Sequence, residues 1–258
     1  MACIIYPSPV FGPVHSRRLG MSLGINLLPE GGKICSFDCI YCECGFNKDR
    51  RGNTKLPSRA HVKEVLEKKL IALAEEGVHL DVMTFAGNGE PTSHPNFEGV
   101  VDDVIELRDK YCPDAKISVL SNSTFLTRKP VFDALHKVDN NILKLDTVNR
   151  EFIDLVDRPN AGYDLGKVIE ALKAFEGRLI IQTMFLKGEF EGKAIDNTTD
   201  EYVLPWIEVL KEINPHEVMI YTIARETPAE HLIKATKEEL DGIAEKLRGE
   251  GFTVQIAY

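Results

Sequence analysis

No stretch of this chain approaches the roughly 20 apolar residues that a bilayer-spanning helix requires, so a membrane-embedded protein is not expected. The opening Met-Ala-Cys-Ile-Ile-Tyr-Pro is too short and too uncharged for a secretory signal, and a cytoplasmic location is the expectation. Internal repeats and low-complexity tracts are missing, which excludes a solenoid array or a long flexible linker. Positive charge is in short supply: 31 Lys and Arg stand against 40 Asp and Glu, a net charge of −9. That balance speaks against non-specific nucleic-acid binding, which requires many phosphate contacts. Histidine is absent between Gly20 and Arg59, and no second cysteine pair follows the first cluster. A structural zinc site, which usually takes four protein ligands in two pairs or with histidines, is therefore not indicated.

What is present is a chain of 258 residues, 43% apolar, with charges interspersed along it. A sizeable core and one large domain fit that composition. We read residues 1–258 as a single domain, with a core over about 20–228 and a C-terminal helix and strand over 229–258.

Strand-like and helix-like segments alternate. Strands are predicted at 22–28, 80–86, 116–121, 141–146, 179–186, 217–223 and 252–256. Ser58 is placed as the N-cap of a helix whose Val62, Val65, Leu66, Leu70 and Leu73 share one face. Val100, Val101, Val104 and Ile105 mark the next helix. Further helices are expected at 129–137, 149–157, 164–176 and 200–213. Thr236 with Glu239 forms a capping box for the last, to about Arg248. Repeated strand–helix units imply a parallel sheet. The fold class is α/β, and about six units point to an incomplete (β/α)6 TIM-type barrel, with an open doubly wound sheet as the alternative. Either architecture places ligands at the carboxyl ends of the strands.

The six cysteines are unevenly spread. Cys35, Cys39, Cys42 and Cys44 fall within ten residues, while Cys3 and Cys112 stand alone. Soft thiolates packed this tightly suit an iron–sulfur cluster or zinc better than disulfides. Three cysteines in the loop Cys35-Ser-Phe-Asp-Cys39-Ile-Tyr-Cys42 can hold three irons of a cubane and leave the fourth open. Cys44 is a spare ligand, a sensor thiol or a non-ligand; a fourth thiolate would block the open iron, which favours the last.

This C-x3-C-x2-C spacing, with the aromatic Tyr41 before the third cysteine, resembles the radical S-adenosylmethionine (SAM) superfamily. The resemblance implies a [4Fe–4S] cluster on Cys35, Cys39 and Cys42, SAM as second cofactor, and an electron donor such as flavodoxin or ferredoxin. It also implies that Gly87, Asn88, Gly89 and Glu90 match the superfamily's Gly-Gly-Glu segment, in which the Glu meets the amino group of SAM's methionine. Asn88 here replaces the commoner glycine. Ser121, Asn122 and Asp146 lie at later strand ends, where the superfamily uses polar groups for SAM's ribose and carboxylate; helix capping or turn formation is the other reading of Ser121 and Asp146. Ile223 is matched to the backbone contacts of adenine. Lys144 shares a strand face with Asp146 and either pairs with it or meets substrate. Gln182, Thr183, Thr222 and Arg225 are further strand-end candidates.

A narrower resemblance rests on Phe11-Gly-Pro-Val-His-Ser-Arg17-Arg18-Leu-Gly20, Lys144-Leu-Asp146, Arg158-Pro159, Gln182 to Gly188 and Tyr221 to Pro228. It is to iron–sulfur oxidoreductases related to the wyosine-forming tRNA enzymes, although the chain shows no second cysteine cluster. If the resemblance holds, reductive cleavage of SAM gives a 5′-deoxyadenosyl radical that abstracts hydrogen from a substrate. A radical-generating activating enzyme for a partner polypeptide and a non-catalytic iron–sulfur protein are the alternatives. The charge split, +4 over residues 1–60 against −13 over the rest, adds an expectation. Arg17, Arg18, Lys48, Arg50 and Arg51 flank the cysteine loop, so a phosphate-bearing substrate, a nucleotide or an RNA, is expected there, with Arg17, Arg18, Lys144 and Arg225 as contact residues.

Overall fold

A computed structural model describes residues 4–49 and 54–258; Cys3, Arg50 and Arg51 lie outside the described residues. In chain order the elements are β1 (Val10–Ser16), β2 (Gly20–Ile25), α1 (Arg59–Glu75), β3 (Val82–Phe85), α2 (Phe97–Tyr111), β4 (Lys116–Ser121), α3 (Lys129–Leu135) and β5 (Asn140–Lys144). There follow α4 (Arg150–Phe152) running into a π-turn (Ile153–Asp157), α5 (Leu165–Lys173), β6 (Ile180–Phe190), β7 (Lys193–Asp196), α6 (Asp200–Ile213), β8 (Glu217–Thr222), β9 (Leu232–Lys234), α7 (Lys237–Gly249) and β10 (Val254–Ala257).

The strand order along the sheet is β1-β2-β3-β4-β5-β6-β8-β10. From β2 to β10 every pairing on this path is parallel, and only β1 runs antiparallel to its neighbour β2. A doubly wound sheet reverses its order at a switch point; this order never reverses, so the sheet winds in one sense and curls into a partial barrel. The strand at 116–121 and the helix at 200–213 coincide with the sequence reading, and the last expected strand, at 252–256, is β10, parallel to β8.

The two faces of the curled sheet separate by alternation. Leu23, Ile25, Phe85, Ile117, Val119, Leu143, Ile181 and Ile220 face outward into the main core, against Leu66, Val100, Leu172, Trp206, Leu210 and Leu240 of the helices. Inward, Ile142, Ile180 and Met219 form a small apolar floor with Leu19 and Leu120. Helix α1 starts where expected, with Ser58 accepting from His61 N at 3.2 Å, and it buries Val62, Leu66, Leu70 and Leu73 while Val65 stays half-buried. Helix α7 carries both halves of its capping box, Glu239 N to Thr236 Oγ1 at 3.2 Å and Thr236 N to Glu239 Oε2 at 2.7 Å.

Three strands had no signal in the sequence pattern. β1 contains Gly12 and Pro13, which punctuate rather than continue a strand; Pro13 sits in a register shift between Phe11 and Val14 on the sheet edge. β7 and β9 pair antiparallel with the far end of β6. The β6–β7 turn uses Glu191 and Gly192 at φ +51° and +75°, a backbone that Asn-Gly or Asp-Gly would have advertised.

The β1–β2 hairpin also closes the barrel's seam. Arg17 Nη1 donates to Tyr258 O at 2.6 Å, and Gln255 Nε2 donates to Arg18 O at 3.1 Å. Both bonds run from the hairpin tip to the opposite edge of the sheet.

Candidate cluster and SAM site

The cysteine loop lies between two supports. On one side it zips onto the turn after β3: Ile34 N donates to Asn88 O at 2.9 Å, and Glu90 N donates to Ile34 O at 3.2 Å. Gly89 makes this approach possible. It holds φ +134°, and a Cβ there would lie 1.8 Å from Ile34 O, so no side chain fits. Gly87 is confined likewise, with Asn26 Oδ1 at 2.6 Å from its would-be Cβ. On the other side the loop lies along the π-turn, through Ile40 N to Val156 O at 2.9 Å, Asp38 N to Asp157 O at 3.0 Å, and Asn160 N to Ser36 O at 2.8 Å. Asn47 ties the loop to itself, accepting from Cys35 N at 3.0 Å and donating to Cys35 O and Phe37 O at 3.1 Å each.

The thiols gathered in this loop fit a cluster. Burial pushes Cys35 up to about 12 and Cys39 well above the usual thiol range. Cys42 is held below that range, chiefly because the Cys44 thiol beside it donates to its sulfur. Cys44 itself is buried and also points its sulfur at Gly87 O, 3.4 Å away. Lys33, with only 1% of its side chain exposed, sends its ammonium to Gly45 O at 3.2 Å and Asp38 Oδ1 at 3.3 Å. Burial alone would lower Lys33, but the sulfurs of Cys42, Cys39 and Cys35 together with Asp38 outweigh it and hold the charge in place. Among the described residues no three His, Cys, Asp or Glu side chains close around a single ion. A cubane does not require that, since each thiolate serves a different iron. Three thiolates with a buried counter-charge are the donor set a [4Fe–4S] cluster takes.

Glu90 is buried at the end of the turn. Its Oε1 accepts from Thr92 N at 3.0 Å, Thr92 Oγ1 at 2.5 Å and Ser121 Oγ at 2.9 Å, and its Oε2 accepts from Asn122 N at 2.6 Å. Burial raises its carboxyl despite these bonds. Asn122 reaches further: its Nδ2 donates to Ser36 Oγ at 2.8 Å and to Cys35 Sγ at 3.4 Å. Hydrogen bonds from Asn122 therefore link Glu90 to Cys35.

Tyr41, Lys144 and Asp146 meet in a second buried network. Tyr41 and Lys144 both donate to Asp146 Oδ2, while Met184 N donates to Oδ1 at 2.9 Å. Lys144 also pairs with Asp157 Oδ1 at 2.9 Å. One cation between two carboxylates satisfies charge inside the barrel, and burial pushes Asp157 up against the pull of Lys144. The Tyr41 phenol rises well above its usual range through burial and the neighbouring Asp146. Lys144 is thus paired with both Asp146 and Asp157, and Asp146 joins the cysteine loop to β5 and β6.

The other predicted residues scatter. Asn88 turns its side chain away from the loop, accepting from Tyr6 N at 2.8 Å and donating to Tyr6 O at 2.9 Å and Pro29 O at 3.0 Å. Ile223 packs against the buried apolar cluster that includes Cys39, Tyr41 and Met184. Arg225 is on the surface, bonded to Glu43 at 2.5 Å and Tyr6 at 3.1 Å. Arg17 sits at the seam and not beside the cysteine loop. Lys48 lies over the Phe46 ring. Thr183 and Thr222 are spent on backbone carbonyls, Leu145 O and Phe185 O, at 2.8 Å each. Lys33, Asn47 and Asp157 escaped sequence reasoning. Lys33 and Asn47 carry no periodic signal, and an Asp at a helix end reads as a cap.

The chain matches the radical SAM superfamily over residues 30–196. Among curated relatives it is 35% identical to a UPF0026 protein of Methanocaldococcus jannaschii, over 89% of this chain and 68% of that one. It is 31% identical to a UPF0026 protein of Synechocystis, over 85% and 77%. Among solved structures, a radical SAM methyltransferase from Sphaerobacter thermophilus superposes with a TM-score of 0.67 at 16% identity, over 92% of this chain and 66% of that one. Streptococcus suis SuiB, solved with SAM bound, superposes at 0.60 and 14% identity, over 91% and 46%. The chain therefore spans about two thirds of the first relative and less than half of SuiB. The superfamily match takes in the cysteine loop, the Gly-Asn-Gly-Glu turn and the strand ends that converge on it, and on that ground the chain belongs to the radical SAM superfamily of enzymes.

Proposed function

We propose that this chain cleaves SAM reductively at a [4Fe–4S] cluster held by Cys35, Cys39 and Cys42, and acts on a phosphate-bearing substrate, a nucleotide or an RNA base, lodged in the barrel. The path from Glu90 through Asn122 to Cys35 carries the reading. It ties a carboxylate suited to an ammonium group to a thiolate suited to iron. When bound, cluster and SAM supply one-electron cleavage of a carbon–sulfur bond and a 5′-deoxyadenosyl radical, with the electron coming from a flavodoxin or ferredoxin.

The chain's own residues bind, orient and exclude water. Glu90 takes the methionine ammonium, and Ser121 and Asn122 fix the carboxylate's direction. The Tyr41–Asp146–Lys144 network clamps the cysteine loop to the barrel. Met184, Leu186, Ile40 and Ile223 provide apolar cover around it, which protects a reactive carbon radical from water and stray C–H bonds. For the substrate, the support is the positive balance of residues 1–60.

The test is anaerobic reconstitution followed by reduction and assay of 5′-deoxyadenosine. The wild type should bind about four irons per chain and form 5′-deoxyadenosine. Replacing Cys35, Cys39 and Cys42 by Ala should abolish both. Full iron in that variant would overturn the assignment. An RNA substrate should bind with an affinity that falls by roughly one log unit per log salt for each phosphate neutralised, a free nucleotide far less steeply. If neither ligand binds the SAM-loaded protein at low salt, the nucleotide class is removed.

A further inference from the structure

Arg18 leaves the β1–β2 turn and enters the barrel. Its guanidinium lies 4.8 Å over the ring of Tyr221 on β8. Its Nη1 is sealed from solvent and has no hydrogen-bond partner. The acidic group that acts on it, Glu43, is already committed to Arg225 at 2.5 Å. Beside it, Gln255 of β10 donates through Nε2 to Arg18 O at 3.1 Å, while its Oε1 is also buried and unpartnered. Arg18 and Gln255, joined through the Arg18 carbonyl, thus each carry one buried atom without a partner.

A guanidinium N–H sealed from water without a partner is costly, even on a half-buried side chain. Its planar fork matches the two oxygens of a carboxylate or phosphate. Below, the barrel floor of Leu19, Ile142, Ile180 and Met219 is apolar and offers an anion nothing. Opposite, the Glu90–Asn122 path belongs to the ends of β3 and β4, whereas Arg18 stands against β8 and β10. Arg18 rises from the amino ends of the parallel strands and that path lies at their carboxyl ends, so a molecule held at Arg18 would have to extend up the barrel to reach it.

We propose that Arg18 is the receptor for a substrate oxyanion, carboxylate or phosphate, with Gln255 Oε1 accepting a hydroxyl or N–H of the same molecule. This rests on the radical SAM reading of the site and assigns the residues that receive the substrate's anionic group, a carboxylate being the outcome that would replace the phosphate.

The test uses the full chain, reconstituted with its cluster and loaded with SAM, titrated calorimetrically with inorganic phosphate and separately with acetate. Wild type should take one equivalent of one of these. The tighter of the two names the source, a phosphate ester or a carboxylic acid. R18Q should weaken that binding by roughly ten- to hundredfold, the range expected for a lost charge-assisted pair. R18K, which keeps charge but not the fork, should fall between. Iron content shows whether each variant is folded, and R18K carries the comparison where R18Q does not hold its cluster. No saturable binding to wild type, or binding by R18Q and R18K as tight as that of wild type, would overturn the proposal and leave the orphan atoms to a bridging water. Loss of SAM cleavage by wild type would instead remove the radical reading, without touching the anion measurement.

Discussion

Glu90 is held by four hydrogen bonds and buried, so its side chain has one orientation to offer. Glu90→Gln keeps one acceptor oxygen and removes the charge. The Kd for SAM, measured by equilibrium dialysis, should rise about ten- to hundredfold with iron content retained; unchanged affinity would make Glu90 a structural residue only. The pH dependence follows from its raised carboxyl. SAM's ammonium needs the ionised form, so affinity should fall as pH drops through a value above the usual carboxylate range. In the SAM-free protein the folded state holds this proton more tightly than the unfolded chain. Glu90's contribution to stability should therefore decline, not grow, as pH climbs through the same window. Lys33 is held charged by the sulfurs of the three cysteines and Asp38, so in the proposed cluster it would act as a counter-charge. Lys33→Met should lower the cluster's reduction potential, on the order of 100 mV for one charge a few ångströms away at an effective dielectric of about 20. An EPR-monitored redox titration reads this, and a potential that does not move would remove Lys33 from the electrostatics of the site.

At the scale of elements, the turn after β3 and the cysteine loop form one unit. Gly89→Ala would drive a Cβ into Ile34 O, so it should separate the two, lower the melting temperature and leave the chain deficient in iron after reconstitution. Gly242→Ala in α7 is the counterpart. Its Cβ meets nothing within 4 Å, and it should gain about 0.5–1 kcal/mol from reduced backbone freedom. Circular dichroism melts with iron analysis compare the two, and a Gly89→Ala protein that keeps its iron would show the docking to be dispensable. The elements themselves divide in how visible they were. Helices α1 and α7 announce themselves through their caps, and α1 also through a 3.6-residue period, because those signals are local. The hairpin strand β1 and the short β7 and β9 do not, because pairing with a neighbour, not their own composition, makes them strands.

At the scale of the molecule, Trp206 joins layers. It is 1% exposed, packs edge-on against Phe185, and donates to Leu145 O at 3.0 Å, next to Asp146. Trp206→Ala should cost about 3–5 kcal/mol in denaturant unfolding and disturb the Tyr41–Asp146 contact. A loss below 1 kcal/mol would mean that the core collapses around the gap.

The sequence by itself determined what depends on spacing along the chain. The three cysteines that can hold a cluster, the glycines of the turn after β3, the caps and the alternation of strand and helix were all readable there, since each needs only residues a few positions apart. Tertiary structure decided the partners. Tyr41 meets Asp146 across 105 positions, Asn122 reaches Cys35 across 87, and Arg17 bonds Tyr258 across 241. Whether a basic residue faces a cluster, a seam or a barrel interior depends on how far the sheet curls. Arg17 and Arg18, adjacent in the chain, part there: Arg17 latches the sheet's two edges at the seam, and Arg18 turns inward over Tyr221.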